Sequence, residues 1–362
     1  MKNNLNIRLL LLMVAIALAS FASGQAISTP RTPSPAAEVR QTIGISTVTV
    51  NYSRPSVKGR VIWGDLVPYG YNVQNFGNQK PAPWRAGANE NTVIEFSHNA
   101  KVEGHDVSAG RYGLFFAVNS DDSADLILSK DSRSWGSFFY EADHDLLRTK
   151  IQLRTHAMTE LLTYDFINIT KNSAELVMNW ENKQFPIKIE FAVDDIVMAN
   201  ATEELKGPAG FNWQGYNQAA TYALQNNISP AQGILWSDQA IAGNRSFNTL
   251  MVKSGLLDQQ GKSPEAEQIK NEALKIATEA ELNTYGYQVL NQGKSDEAIH
   301  ILMLNTQNHP ESANAWDSLG EAYAIKGDKE NAIKNFKKSL SLNPTEATKA
   351  NSMKYLKKLG GA

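Results

Sequence analysis

From about residue 37 to residue 195 apolar and polar positions alternate with a period of two. In Leu147-Arg148-Thr149-Lys150-Ile151-Gln152-Leu153-Arg154 one face carries Leu, Thr, Ile and Leu, and the other Arg, Lys, Gln and Arg. That pattern predicts a strand with one face buried and one wet. Phe185-Pro186-Ile187-Lys188-Ile189-Glu190-Phe191 repeats it, and Pro186 suits a sheet edge or a strand start. Further strands are predicted at Ser46–Tyr52, Thr92–Ser97, Tyr112–Val118, Asp125–Ser129, Leu161–Ile169 and Ala174–Trp180. Turn residues at Glu103-Gly104, Ala109-Gly110, Asn119–Asp122, Lys171-Asn172 and Glu181-Asn182 separate them. The gaps are too short for parallel crossovers, so the reading is an antiparallel β-sandwich or jelly-roll-like domain over 37–195.

Near residue 200 the period changes to that of a helix. Trp316, Leu319, Gly320, Tyr323, Gly327, Ala332, Phe336 and Pro344 have counterparts 34 residues earlier in Leu282, Tyr285, Gly286, Val289, Gly293, Ala298, Leu302 and Pro310. The two glycine pairs, the alanine and the proline are identical. Each unit reads as two antiparallel helices, with small residues at the crossing and aromatic or aliphatic residues filling it. Gly327 ends the first helix and Pro344 limits the second. A lone hairpin cannot bury its apolar face, so such units stack.

This spacing resembles the tetratricopeptide repeat (TPR), closely over 313–346 and less so over 279–312, where Leu282 and Tyr285 replace the usual residue types. Residues 347–359 follow as a capping helix. Weaker traces (Phe247, Leu250, Gly261, Ala266, Ile269 and Ala273, then Trp213, Tyr216, Ala220, Tyr222 and Trp236) extend the array to three to five hairpins over 205–360. The chain therefore reads as multidomain β + α, a sandwich followed by an α-α hairpin array. The resemblance implies a concave groove for a peptide or protein. Asn283, Tyr287, Asn314, Asp317 and Glu321 are the predicted groove residues; the acidic pair argues against a carboxylate clamp. The alternative is an array that packs on its own N-terminal domain.

The N-terminus changes the picture of where this happens. Lys2 and Arg8 precede an apolar run from Leu9 to Ala19, and Ala22 and Gly24 suit cleavage before Gln25. That order is a secretory signal over 1–24, too short for a comfortable membrane span, so no transmembrane anchor is expected after cleavage. The expectation is an exported protein, periplasmic or at the cell surface. Residues 25–36 hold three prolines among small polar residues and read as an extended lead-in. With no cysteine there is neither a disulfide framework nor thiol chemistry. Lys plus Arg is 35 against 37 for Asp plus Glu, which gives no case for nucleic acid.

The candidate chemistry of the β half lies in its long loops. Tyr52-Ser53-Arg54-Pro55-Ser56-Val57-Lys58-Gly59-Arg60, Trp63-Gly64-Asp65, Pro68-Tyr69-Gly70, Pro83-Trp84-Arg85-Ala86-Gly87, Ala109-Gly110-Arg111-Tyr112-Gly113 and Ser134-Trp135-Gly136 follow one another. This string resembles the DUF2911 family of exported proteins from Bacteroidetes and relatives, over about residues 34–192, and implies no activity. In the family Pro-Tyr-Gly runs almost directly into Trp-Arg; here Tyr71–Pro83 intervene. Read from the residues alone, Arg54, Lys58, Arg60, Trp84, Arg85, Glu90 and Trp135 are candidates for binding an anion or a sugar ring, with a hydrolytic β-domain built on the same cluster as the alternative to a partner-binding protein. The plainer alternative has Arg54 and Arg85 paired with Asp65 and Glu90 as loop ties. His98, His105-Asp106, Asp143-His144-Asp145 and His156 lack metal-ligand spacing, and no nucleophile elbow stands out. No catalytic residue, metal or cofactor is assigned.

Overall fold

The computed structural model describes residues 33–361, so the expected signal at 1–24 and most of the lead-in lie outside the described residues. The chain divides into two units, at Val193/Asp194.

The first unit is built from twelve strands among the described residues: β1 (Ala36–Ile43), β2 (Ser46–Ser53), β3 (Asn72–Val73), β4 (Pro81–Ala82), β5 (Thr92–Phe96), β6 (Ala100–Val102), β7 (His105–Val107), β8 (Gly110–Val118), β9 (Ser123–Ser129), β10 (Asp145–Gln152), β11 (Arg154–Ile167) and β12 (Ser173–Glu190). One sheet runs β1-β2-β5-β8-β9-β10 and a second β11-β12-β6-β7, with β3-β4 a small ribbon. Every pairing is antiparallel. The inner faces of the two large sheets meet: Tyr52 of β2 packs edge-on to Tyr164 of β11 at 4.8 Å, and Phe116 of β8 lies 4.7 Å from Phe185 of β12. Alternation along β2 buries Val48 and Val50 completely, which is why these residues fold as half-wet strands.

Three features differ from the sequence reading. A strand at Ala36–Ile43 precedes the first one anticipated, pairing Val39 with Val50. Glu181-Asn182 is no hairpin turn. Glu181 adopts φ +53 inside the continuous strand β12, and the β11–β12 register shifts nearby, a bulge that bends the strand without ending it. Pro186 is neither at an edge nor at a strand start. It falls between Gln184, paired with Arg154 of β11, and Ile189, paired with Val102 of β6, so its missing N–H removes no ladder bond.

The second unit is helical: α1 (Val193–Glu204), α2 (Trp213–Gln225), α3 (Pro230–Gly243), α4 (Phe247–Gln259), α5 (Ser263–Ile276), α6 (Glu279–Asn291), α7 (Ser295–Asn308), α8 (Ala313–Lys326), α9 (Lys329–Leu340) and α10 (Glu346–Leu359). Helices α2 to α9 form four successive hairpins, and α10 caps the last. Local signals start and stop them. The Thr278 side chain accepts from the Glu281 N–H while Glu281 answers the Thr278 N–H, a reciprocal cap for α6. Gly327 at φ +89 closes α8 in the left-handed conformation. Leu282, Leu302, Leu319 and Phe336 are buried between the helices.

The crossings depend on small residues. A Cβ at Gly286 would stand 2.7 Å from Leu302, and one at Gly320 would stand 2.9 Å from Phe336. Gly320→Val should therefore lower the stability of the helical unit by about 2 kcal/mol through overpacking. A urea titration followed by the helical circular dichroism signal measures this, and an unchanged midpoint would show the crossing to be slack.

Candidate functional site

The first helices of successive hairpins, α2, α4 and α6, share one face, and that face encloses a groove of about 650 Å³. Phe247, Met251, Val252, Leu224 and Tyr285 supply its apolar surface. Phe247 meets Tyr285 edge-on at 5.9 Å, which joins α4 to α6. Thr221, Gln225, Asn248, Thr284 and Gln288 add uncharged polar groups, four of them exposed and Thr221 half-buried. Glu281 is the single charged lining residue, and its carboxylate already accepts from the Thr278 backbone N–H and hydroxyl at 2.8 Å each. The groove thus offers hydrophobic surface and side-chain amides, with no cation to hold a free carboxylate.

None of the five predicted groove residues lines it. Asp317 is only 5 % exposed; its carboxylate accepts from the Asn351 amide at 2.8 Å and from the Ser352 hydroxyl, both on α10. Glu321 bridges two helices, accepting from Tyr287 of α6 at 2.5 Å and from Tyr355 of α10 at 2.7 Å. Asn283 is half-buried, with its carbonyl oxygen buried and unpartnered. Asn314 is exposed, and its amide donates to Glu279 at 3.3 Å. The spacing is the explanation. Residues 287, 321 and 355, like 283, 317 and 351, repeat at 34, so the positions taken for a binding face carry a polar ladder that joins α6, α8 and α10. Burial and the bond to Glu321 push the Tyr355 hydroxyl up to about 12, and Tyr287 rises for the same two reasons.

In the β unit the seven candidate residues separate. Lys58, Arg60, Trp84 and Arg85 line one cavity of about 450 Å³, together with Ser34, Ser56, Leu66, Asn89 and Trp180. Glu90 and Trp135 line another of about 360 Å³, beside Asn51, Arg111 and Arg133. Arg54 lines neither; it donates to the Leu162 carbonyl at 2.9 Å and the Thr163 hydroxyl at 2.6 Å, tying its loop to β11. Pairing of Arg54 and Arg85 with Asp65 and Glu90 is therefore not what holds the loops. An aromatic cluster does that. Trp84 stacks on Trp180 at 5.6 Å, and Trp63 meets both indoles edge-on at 5.8 Å. Sequence reasoning passed over Trp180 as a strand terminus; its single usable signal was a tryptophan ending an alternating strand. The segment Tyr71–Pro83 folds into the β3-β4 ribbon and is pinned by Asn78, whose amide donates to the Tyr140 carbonyl at 2.9 Å.

The histidines do not converge. His144 contacts Asp131 at 2.7 Å, His98 contacts the Ser97 hydroxyl at 2.9 Å, and His156 contacts the Ala157 carbonyl at 2.8 Å. Among the described residues no three His, Asp or Glu side chains gather as metal ligands, and no helix is long and apolar enough to cross a membrane.

Residues 34–189 match the family described as protein of unknown function (DUF2911), and residues 313–346 match the tetratricopeptide repeat. Among solved structures, YrrB, "a TPR protein with an unusual peptide-binding site", is 16% identical over 44% of this chain and 84% of its own, with a TM-score of 0.27. MamA is 19% identical over 44% of this chain and 91% of its own, with a TM-score of 0.29. The pilF protein of Pseudomonas aeruginosa is 20% identical over 42% of this chain and 71% of its own, with a TM-score of 0.27. No curated protein matches.

The buried ladder has a pH signature. Burial, reinforced by the Glu321 charge, pushes the Asp317 carboxyl above the usual carboxylate range, against the lowering effect of its Ser352 and Asn351 donors. A raised folded pKa means the native state holds this proton more tightly than the unfolded chain does. Its favourable contribution is full below the unfolded value of about 3.9 and is lost as pH rises through the folded value. Asp317→Asn keeps an acceptor and removes the titration. The variant should lose less helical-unit stability than the wild type between about pH 4 and neutrality. Urea midpoints at both pH values test this, and parallel losses would contradict it.

Proposed function

We propose that the chain is a non-enzymatic, exported interaction protein whose α2/α4/α6 groove receives a short, uncharged internal segment of a partner polypeptide. The observation that carries this reading is the composition of the groove. Its apolar centre at Phe247, Met251 and Tyr285 suits an aliphatic or aromatic anchor. The flanking amides of Gln225, Asn248 and Gln288 suit the N–H and C=O groups of an extended backbone. The absence of a lining cation disfavours a terminal carboxylate, and a second acidic side chain would meet no counter-charge there. The match to the tetratricopeptide repeat supports a protein-interaction role.

Export rests on the order of Lys2, Arg8, the Leu9–Ala19 apolar run and the small residues before Gln25. A chain recovered from its host should begin at Gln25 by N-terminal sequencing, and recovery with Lys2 still present would count against export.

Peptides selected against the full chain from a random display library test the groove. Selected sequences should share an apolar anchor flanked by uncharged residues. Met251→Glu should weaken their binding at least about tenfold, because a carboxylate would be desolvated under the anchor. Ile325→Glu, on exposed α8 surface away from the groove, should not. Equal effects of the two substitutions would remove the groove from the interaction.

A further inference from the structure

The cavity of the β unit carries a charge imbalance. Lys58, Arg60 and Arg85 all line it, and among the described residues no carboxylate does. Among the described residues none of the three forms an ion pair, although Arg148, Arg154, Lys183 and Arg245 each do. Arg60 is held by backbone carbonyls alone, donating to Val57 at 3.0 Å and to Ser56. The Lys58 backbone N–H is fixed by the Glu160 carboxylate at 2.9 Å, in a left-handed turn of φ +48, and among the described residues its ammonium forms no ion pair. Arg85 donates through Nη1 to the Asn89 carbonyl at 2.7 Å and lies over the Phe138 ring at 5.2 Å. Gly136 leaves the room the guanidinium needs, since a Cβ there would stand 2.6 Å from Nη1. Burial lowers the Arg85 pKa, and no neighbouring charge offsets that cost.

A half-buried guanidinium held in place by a carbonyl and a ring, and left without a counter-ion, is costly for stability alone. Three cations around one low-dielectric concavity focus a positive potential into it. The remaining surface comes from Trp84, Leu66, the Ser34 and Ser56 hydroxyls and the Asn89 amide, which match a ring with hydroxyl groups. At about 450 Å³ the cavity falls within the size range of small-ligand sites.

We propose that this cavity is a binding site for an anionic monosaccharide, its carboxylate or phosphate held by Lys58, Arg60 and Arg85 and its ring set against Trp84. The site belongs to the β unit and does not depend on the helical groove.

Calorimetric titration of the full chain with glucuronate, a hexose phosphate and neutral glucose tests it. At least one anionic sugar should bind saturably, more weakly as salt is raised, with glucose at least about tenfold weaker. Binding of glucuronate alone would assign the carboxylate, and binding of the hexose phosphate alone the phosphate; either supports the site. Lys58 and Arg60 are exposed, so Lys58→Gln with Arg60→Gln should leave the fold intact and weaken binding about tenfold. Arg85→Lys keeps the charge and removes the planar fork, so it should also weaken binding while preserving the salt dependence. Failure of both anionic sugars to bind, glucose binding as tightly as they do, or a double variant indistinguishable from the wild type would overturn the proposal.

Discussion

No hairpin of the helical unit can bury its apolar face alone, and the way each satisfies that requirement decides where the array is open. Gly286 and Gly320 let the two helices of a hairpin approach until Leu302 and Phe336 fill the crossing. Neighbouring hairpins then meet between the second helix of one and the first helix of the next, and in places along their first helices as well. At the C-terminal end that contact is polar and closed: Glu321 joins Tyr287 to Tyr355, and Asp317 joins Asn351 and Ser352. At the N-terminal end a face of α2, α4 and α6 stays open around Phe247, Met251 and Tyr285. The same repeat therefore yields a sealed end and a receptive end.

The β unit meets an analogous problem with tryptophans. Its long loops carry few strand bonds, so their positions depend on packing. Trp63, Trp84 and Trp180 supply that packing, with Phe116 and Phe185 beneath them. Arg60 and Arg85 add hydrogen bonds within these loops, to the Val57 and Asn89 carbonyls. Both line the cavity, and among the described residues neither forms an ion pair.

Much of this was legible in the sequence because it rests on local rules. Alternation marked the long strands, and the 34-residue recurrence of Gly286/Gly320 and Ala298/Ala332 marked the last two hairpins. What escaped depends on non-local pairing. Pro186 is tolerated mid-strand because β12 changes partners there, from β11 to β6, and no property of the residue itself reports that. Asp317 and Glu321 read as groove residues because they sit on the first helix of a repeat. Their partners, Asn351, Ser352 and Tyr355, lie a full repeat further on. Of the candidate residues in the β loops, Lys58, Arg60, Trp84 and Arg85 share a cavity, and Arg54 lies outside it, tied to β11.

The central claim is that partner recognition occurs on α2, α4 and α6, with the end of the array sealed by its polar ladder. Backbone hydrogen exchange of the full chain, with and without a saturating selected peptide, tests it most directly. The account predicts added protection confined to 213–225, 247–259 and 279–291. Protection centred on 313–326 and 346–359, or none in the helical unit, would contradict it.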